Sequence, residues 1–288
     1  MNSQTKLIPL QRAIIGKDTK IRRALPSHEK KTIGAWCFLD AIGPVEFTKG
    51  NGLDVGPHPH TGLQTFTWMI QGELDHTDSL GHKQRLSPKQ VNLMTAGHGI
   101  SHTEVSPPEF EGTMQVVQFW IAQPDITRHG PADFEHYPNI AHTQKDGMSF
   151  YVLVGEFSGV TSPVQVATPL MGVDMLINKP TQTTLPLKKH FEYGILLLKG
   201  KIQINGEKLC SEDLMYISPG ATSLKIETFE DDTHIILIGG EPFESPIIIW
   251  WNLVVRTQKE IEDAVKDWEN QSPRFGSIPD YIGKRLTP

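Results

Sequence analysis

Residues 56–81, GPHPHTGLQTFTWMIQGELDHTDSLG, decide how the rest of the chain is read. Phe66-Thr67-Trp68-Met69-Ile70 is dense in aromatic and β-branched residues, and Gln71-Gly72 closes it as a turn, so it is expected to be a strand. Just ahead of it, His58-Pro59-His60 sets two imidazoles at i and i+2, which extended backbone points to one face. A second pair of the same spacing, His102-Thr103-Glu104, follows another strand-like run, Asn92-Leu93-Met94-Thr95, and an Ala96-Gly97 turn. The 41 residues between His60 and His102 leave room for a hairpin that brings the two pairs together. A single H-x-H in a proline-rich turn is more often plain surface, and the second pair is what changes the reading. His58, His60, His102 and Glu104 are therefore the expected ligands of one metal ion.

Further along, the chain resembles itself. PLKKHFEYGILLLKGKI around Gly200 matches HPHTGLQTFTWMIQGEL around Gly72, and LCSEDLMYISPG (209–220) matches LSPKQVNLMTAG (86–97). The offsets are 128 and 123 residues, so the second copy has a hairpin loop shorter by 5. A tandem of two similar β-barrels is the economical architecture. Applied to the first copy's ligands, these offsets set Pro186, Lys188, Lys225 and Glu227 opposite them, a set that cannot hold a cation. The second barrel is expected to be metal-free, with His190 and Glu192 as its residual candidates. Residues 123–147, rich in Pro, His and Asp, read as a connection. The domains then fall at 1–130 and 131–288. Near the end, Thr257-x-x-Glu260 is a capping box. Ile261, Ala264, Val265 and Trp268 follow at helical spacing, so one amphipathic helix with a core-anchoring Trp268 is expected in the second domain.

Composition sets the outer limits. The chain has 288 residues, enough for two domains, with 25 Gly and 21 Pro spread along it, which favours short strands and turns. Net charge is −6, and the densest basic stretch, Lys17 to Lys31, is interrupted by Asp18, Pro26 and Glu29, so no direct nucleic-acid contact is expected. No apolar run approaches the length of a membrane span, and the N-terminus lacks a secretory h-region. Cys37 and Cys210 lie far apart in apolar contexts and read as reduced packing residues. A cytoplasmic location is the default expectation.

FLDAIGP (38–44), GPHPHTGLQTFTWMIQGELDHTDSLG (56–81), MTAGHGISHTE (94–104) and IIIWWNLVVRTQKEIEDAVKDW (247–268) together resemble the pirin family of the cupin superfamily. The resemblance implies an all-β fold of two tandem cupin-type (jelly-roll) barrels with a C-terminal helix. It also implies a mononuclear non-haem iron on His58, His60, His102 and Glu104, all present here. Two residues depart from common family usage: Gln64, where many members have Glu, and His98, where Arg is common. Both are candidates for contacts around the ligands or with substrate, Gln64 because i+4 from His60 would put it on the same strand face.

Three imidazoles and a carboxylate suit Fe(II), with Mn, Co, Ni, Cu or Zn as alternatives, and four protein ligands leave two positions open on an octahedral ion. The implied activity is a quercetin (flavonol) 2,3-dioxygenase using O₂, with Glu104 as base for the substrate hydroxyl. The alternative is a metal-dependent, redox-sensing regulator that binds another protein.

Overall fold

The computed structural model describes residues 4–288. Strands make up 53% of it, and its α-helix content is the single helix Gln258–Glu269, so the all-β expectation with one C-terminal helix is met. The chain divides into two compact units. The N-unit comprises Ala13–Ile21, Ala41–Pro138 and Glu244–Pro288; the C-unit comprises Arg22–Asp40, Asn139–Phe243 and the segment ending at Arg12.

Each unit is built mainly on a seven-stranded and a four-stranded antiparallel sheet with an apolar core between them, and no sheet closes into a barrel. The four-stranded sheet of the N-unit runs in the order Asp54–His60, Ile100–Val105, Leu74–Asp78, Lys83–Leu86. That of the C-unit runs Gln182–Pro186, Ser223–Thr228, Ile202–Ile204, Glu207–Leu209. The larger sheets share a central order too: Val91–Thr95, Leu63–Gln71, Gly112–Ala122 and Trp36–Phe47 in one, Asp213–Ile217, Glu192–Lys199, Thr233–Gly240 and Leu170–Ile177 in the other. The self-resemblance of the sequence is thus a duplicated fold.

The units differ from a contiguous division at 130/131. Thr5–Pro9 pairs with Asp213–Ile217 at the edge of the C-unit sheet. Conversely, the C-terminal helix belongs to the N-unit, where Ile261, Ala264 and Trp268 pack with Leu253, Val255 and Phe275. Each end of the chain thereby falls in the unit built mainly from the other half of the sequence. The helix starts as its capping box predicts: the Thr257 hydroxyl accepts the Glu260 N–H at 3.2 Å. The Glu260 carboxylate reaches back one residue further, to the Arg256 N–H at 2.8 Å. Trp268 is a buried anchor, as expected. The supposed connection at 123–147 contains two strands, Asp133–Tyr137 and Ala141–Lys145, each adding an edge to its sheet. Cys37 is buried, but Cys210 is exposed beyond the end of Glu207–Leu209 and packs no core; neither forms a disulfide.

Candidate metal centre

The ligand pairs of the sequence lie side by side in the N-unit's four-stranded sheet. His58 and His60 are on Asp54–His60, and His102 is on the neighbouring Ile100–Val105, directly across from His58. All three rings are buried, with centroids 4.4 to 4.9 Å apart. One ligand nitrogen from each lies within 4.8 Å of the other two. Between the strand carrying His60 and the next, the chain turns at Gly62, whose φ of +69° favours glycine. A Cβ there would also lie 2.1 Å from the Val254 carbonyl, so close packing of the 244–288 segment requires this glycine.

Hydrogen bonding to backbone carbonyls fixes which nitrogen two of the rings offer. His58 Nδ1 faces the Gly56 carbonyl at 2.8 Å, and His60 Nδ1 faces the Asn252 carbonyl at 2.9 Å. A carbonyl only accepts, so each Nδ1 carries the proton and each Nε2 presents a lone pair. His60 Nε2 and His102 Nε2 stand 3.1 Å apart. That is the separation of two nitrogens bound at about 2.1 Å to one ion at nearly a right angle. Burial holds the rings neutral: it depresses His58 to about 4, and holds His60 and His102 well below the ordinary imidazole value. Neutral rings with converging lone pairs fit a divalent cation, and no cysteine is among them.

Glu104 stands apart from this group. Against Leu74–Asp78 the pairing is regular, with Glu104 opposite His76, but against Asp54–His60 it slips by one residue between His102 and Glu104. The carboxylate is not among the clustered ligand atoms. Its Oε1 lies 3.3 Å from the Thr67 hydroxyl, which is also 2.9 Å from Gln118 Oε1; one hydroxyl proton serves only one of them. Burial pushes the Glu104 carboxyl up to about 7.

Neither further candidate joins the cluster. Gln64 is not on the strand of His60, because the chain turns at Gly62 into Leu63–Gln71 of the other sheet. There it sits three residues from Thr67 and so on the opposite face, with its amide donating to Thr95 Oγ1 at 2.9 Å. The His98 side chain is exposed; its carbonyl accepts from Thr61 Oγ1 and Arg274 Nε.

Three features escaped the sequence reading. His76 is buried against His102, Nδ1 to Nδ1 at 3.3 Å, and its Nε2 meets Asp78 Oδ2 at 3.0 Å. The signal was a third i, i+2 pair, His76-Thr77-Asp78. Trp120 packs edge-on against His60 at 5.2 Å. Finally, a cavity of about 660 Å³ opens beside His58, walled by Val55, Trp251, Ile14, Tyr281 and Lys284.

The C-unit shows how the copy alignment slipped. Leu185, Leu224 and Ile226 point into its core, while Pro186, Lys188 and Lys225 are exposed. The offsets therefore named the residues beside the inward ones, a one-residue error that turns every side chain to the other face. His190 is exposed near Glu241, and the Glu192 carboxylate is taken up by Lys30 Nζ, Tyr216 OH and the Gly34 N–H at 2.6 to 2.8 Å.

The fold and site together define a two-unit cupin protein with a three-histidine centre in one unit. The chain belongs to the pirin family: residues 18–121 match Pirin and residues 172–276 match the pirin C-terminal cupin domain. A Pseudomonas aeruginosa protein named as a candidate quercetin 2,3-dioxygenase is 44% identical over 275 residues, 96% of this chain and 87% of its own. The crystal structure of a quercetin 2,3-dioxygenase from Acinetobacter baumannii superposes with a TM-score of 0.96 at 53% identity, covering 99% of this chain and 94% of that one. A bacterial pirin from Escherichia coli in complex with nickel(II) shares the fold, with a TM-score of 0.64 at 19% identity over 83% of this chain and all of that one. No helix among the described residues is long and apolar enough to cross a membrane.

Proposed function

We propose that this chain is a quercetin 2,3-dioxygenase-type enzyme that uses Fe(II) on His58, His60 and His102, with Glu104 as fourth ligand or base, to open a flavonol with O₂. The observation that carries the reading is the convergence of three neutral imidazoles, two of them with Nδ1 turned to a backbone carbonyl; a cavity of substrate size is lined in part by His58. The names of the Pseudomonas and Acinetobacter relatives support the substrate class. Bound iron would supply a site that acidifies the substrate hydroxyl and brings it together with O₂.

The chain's own residues do the rest. Trp251 and Ile14 offer apolar surface for a flat ring system, and Trp120 holds the His60 ring from behind. Glu104, raised to about 7, is half-deprotonated near neutrality and is suited to accept the hydroxyl proton of a flavonol. Thr67 can then receive a hydrogen bond from the protonated carboxyl while donating to Gln118. The C-unit, with Leu185, Leu224 and Ile226 filling the equivalent interior, is read as metal-free.

The test is metal analysis of the purified protein, followed by oxygen uptake on quercetin after anaerobic Fe(II) loading. Stoichiometric metal with uptake, lost in Glu104→Gln while the metal stays bound, is the expected result. Metal bound without turnover of any flavonol overturns the enzymatic reading and leaves a regulator.

A further inference from the structure

Two of the three clustered histidines hand their Nδ1 proton to a backbone carbonyl, whose role as acceptor is fixed. His102 does not: its Nδ1 faces another imidazole nitrogen, His76 Nδ1, at 3.3 Å. An imidazole can present either a proton or a lone pair there, so His102 is left with two tautomers unless something fixes His76.

Asp78 does so. Its Oδ2 lies 3.0 Å from His76 Nε2, and a carboxylate only accepts, so the His76 proton sits on Nε2 and its Nδ1 is a lone pair. His102 must then donate from Nδ1, which frees Nε2 toward the cluster. The carboxylate is itself immobile: Oδ1 accepts the Leu80 N–H at 2.9 Å and the His82 N–H at 3.1 Å. Phe134 stacks on the His76 ring at 4.3 Å with the planes 12° apart, and His76 and Asp78 are both buried. His82 Nδ1, on a half-exposed side chain, also lies 3.0 Å from Asp78 Oδ2.

We propose that Asp78 and His76 form a positioning relay that sets the tautomer of His102 and so makes it a metal ligand. The inference rests on the reading that His58, His60 and His102 hold a metal. His76 and Asp78 are positioning residues, and neither reaches the clustered nitrogens' point of convergence.

The relay makes an inverted prediction. In Asp78→Asn, the two backbone N–H groups at Oδ1 keep the amide oxygen there, which places the NH₂ against His76 Nε2. The amide donates, the His76 proton moves to Nδ1, and His102 is forced to carry its own proton on Nε2. Asp78→Ala merely leaves His76 free to choose. Asn should therefore damage metal binding more than Ala does, although Asn preserves shape and most hydrogen bonds. A purely structural role predicts the reverse order.

The probe is Co(II), with affinity read by competition against a chromophoric chelator and the loaded protein read by NMR. Wild type should show three exchangeable, paramagnetically shifted N–H signals, one per histidine. Asp78→Asn should lose the His102 signal and roughly a hundredfold in Co(II) affinity; Asp78→Ala should lose roughly tenfold. His76→Asn, whose amide oxygen can stand near the former Nδ1, should retain more affinity than His76→Leu. Thermal unfolding of each apo variant reports the fold separately. Equal or better Co(II) binding by Asp78→Asn than by Asp78→Ala, with the three signals intact, overturns the relay. Failure of wild type to bind Co(II) through these histidines overturns the metal reading instead.

Discussion

The two units are copies with apolar cores, and in the N-unit that core gives way to a polar cluster where the C-unit core continues. Thr65, Thr67 and Met69 on Leu63–Gln71 stand opposite Trp120, Gln118 and Val116 on Gly112–Ala122. The corresponding residues of the C-unit are Tyr193, Ile195 and Leu197, opposite Gly239, Leu237 and Ile235. The companion sheet of the N-unit presents His58, His102, His76 and Asp78; that of the C-unit presents Leu185, Leu224 and Ile226. One scaffold thus supports a dry apolar core or a polar cluster with converging lone pairs. The polar version is tolerable because nearly every proton in it has a partner, and the remaining lone pairs suit a cation.

The contrast is broken most sharply by removing a ligand. His102→Ala should lower metal affinity roughly a thousandfold, as expected for one strong donor of a small set, and abolish oxygen uptake. Equilibrium dialysis with Fe(II) or Ni(II) checks this, and circular dichroism should show an unchanged strand signal. No substitution of His190 in the C-unit should change the metal stoichiometry. Retained binding in His102→Ala would move the site elsewhere.

Acid should separate the units next. A histidine held neutral by burial binds its proton more weakly in the folded than in the unfolded chain. Its neutrality is free of cost above the unfolded value near 6.5 and increasingly destabilising as pH falls from 6.5 towards the folded value. For His58, at about 4, this is worth about 3 kcal/mol, and His60, His102 and His76 act in the same direction. Glu104 opposes them: raised to about 7, it costs stability as pH rises from 4.5 through 7. The histidines outnumber it, so the metal-free N-unit should open first on acidification. Pulsed hydrogen exchange, corrected for intrinsic rates, should show Leu63–Gln71 losing protection at a higher pH than Glu192–Lys199. Simultaneous loss would refute the difference. In Glu104→Gln the acid loss should steepen between 6.5 and 4.5.

Swapping a single residue between the copies is a milder perturbation. Ile195→Thr, which writes the N-unit's Thr67 into the C-unit, removes buried apolar surface and leaves a hydroxyl without a built partner. It should destabilise by about 2 to 4 kcal/mol, read from urea midpoints at constant slope. The reciprocal Thr67→Val should cost less stability, because Val suits an apolar core, but it should raise the Glu104 carboxyl further by deleting a bond that favours its charged form.

How much of this was legible from sequence follows physical range. His58, His60 and His102 could be read because i, i+2 spacing is local and strands enforce it. The helix could be read because Thr257 and the Ile261-to-Trp268 spacing are local too. The duplication was visible through its paired turns at Gly72 and Gly200. The inward face of the second copy was not, since period-two alternation turns a one-residue alignment error into the wrong face. Nor was the Asn252 carbonyl that orients His60 from 192 residues away, or the exchange of chain ends that brings it there. His76-Thr77-Asp78 had the right spacing, but the contact that gives it meaning, His76 to His102, depends on which strands become neighbours.

The smallest expected effect concerns Gln64, and it separates resemblance from geometry. Many family members carry Glu at this position, which invites the view that the chain has lost a charged group beside its metal. The structure places Gln64 on the face of Leu63–Gln71 away from Thr67 and Glu104, paired with Thr95 across the strand. A glutamate there would accept from the Thr95 hydroxyl where glutamine donates to it, so the local bond survives with its direction reversed. Gln64→Glu should therefore change Co(II) affinity and quercetin turnover by less than about twofold. It should cost at most about 2 kcal/mol of stability, from placing a carboxyl at a buried position. A tenfold change in metal affinity would mean that Gln64 communicates with the cluster through the strand itself, and the clean division of that strand into a metal face and a packing face would have to be abandoned.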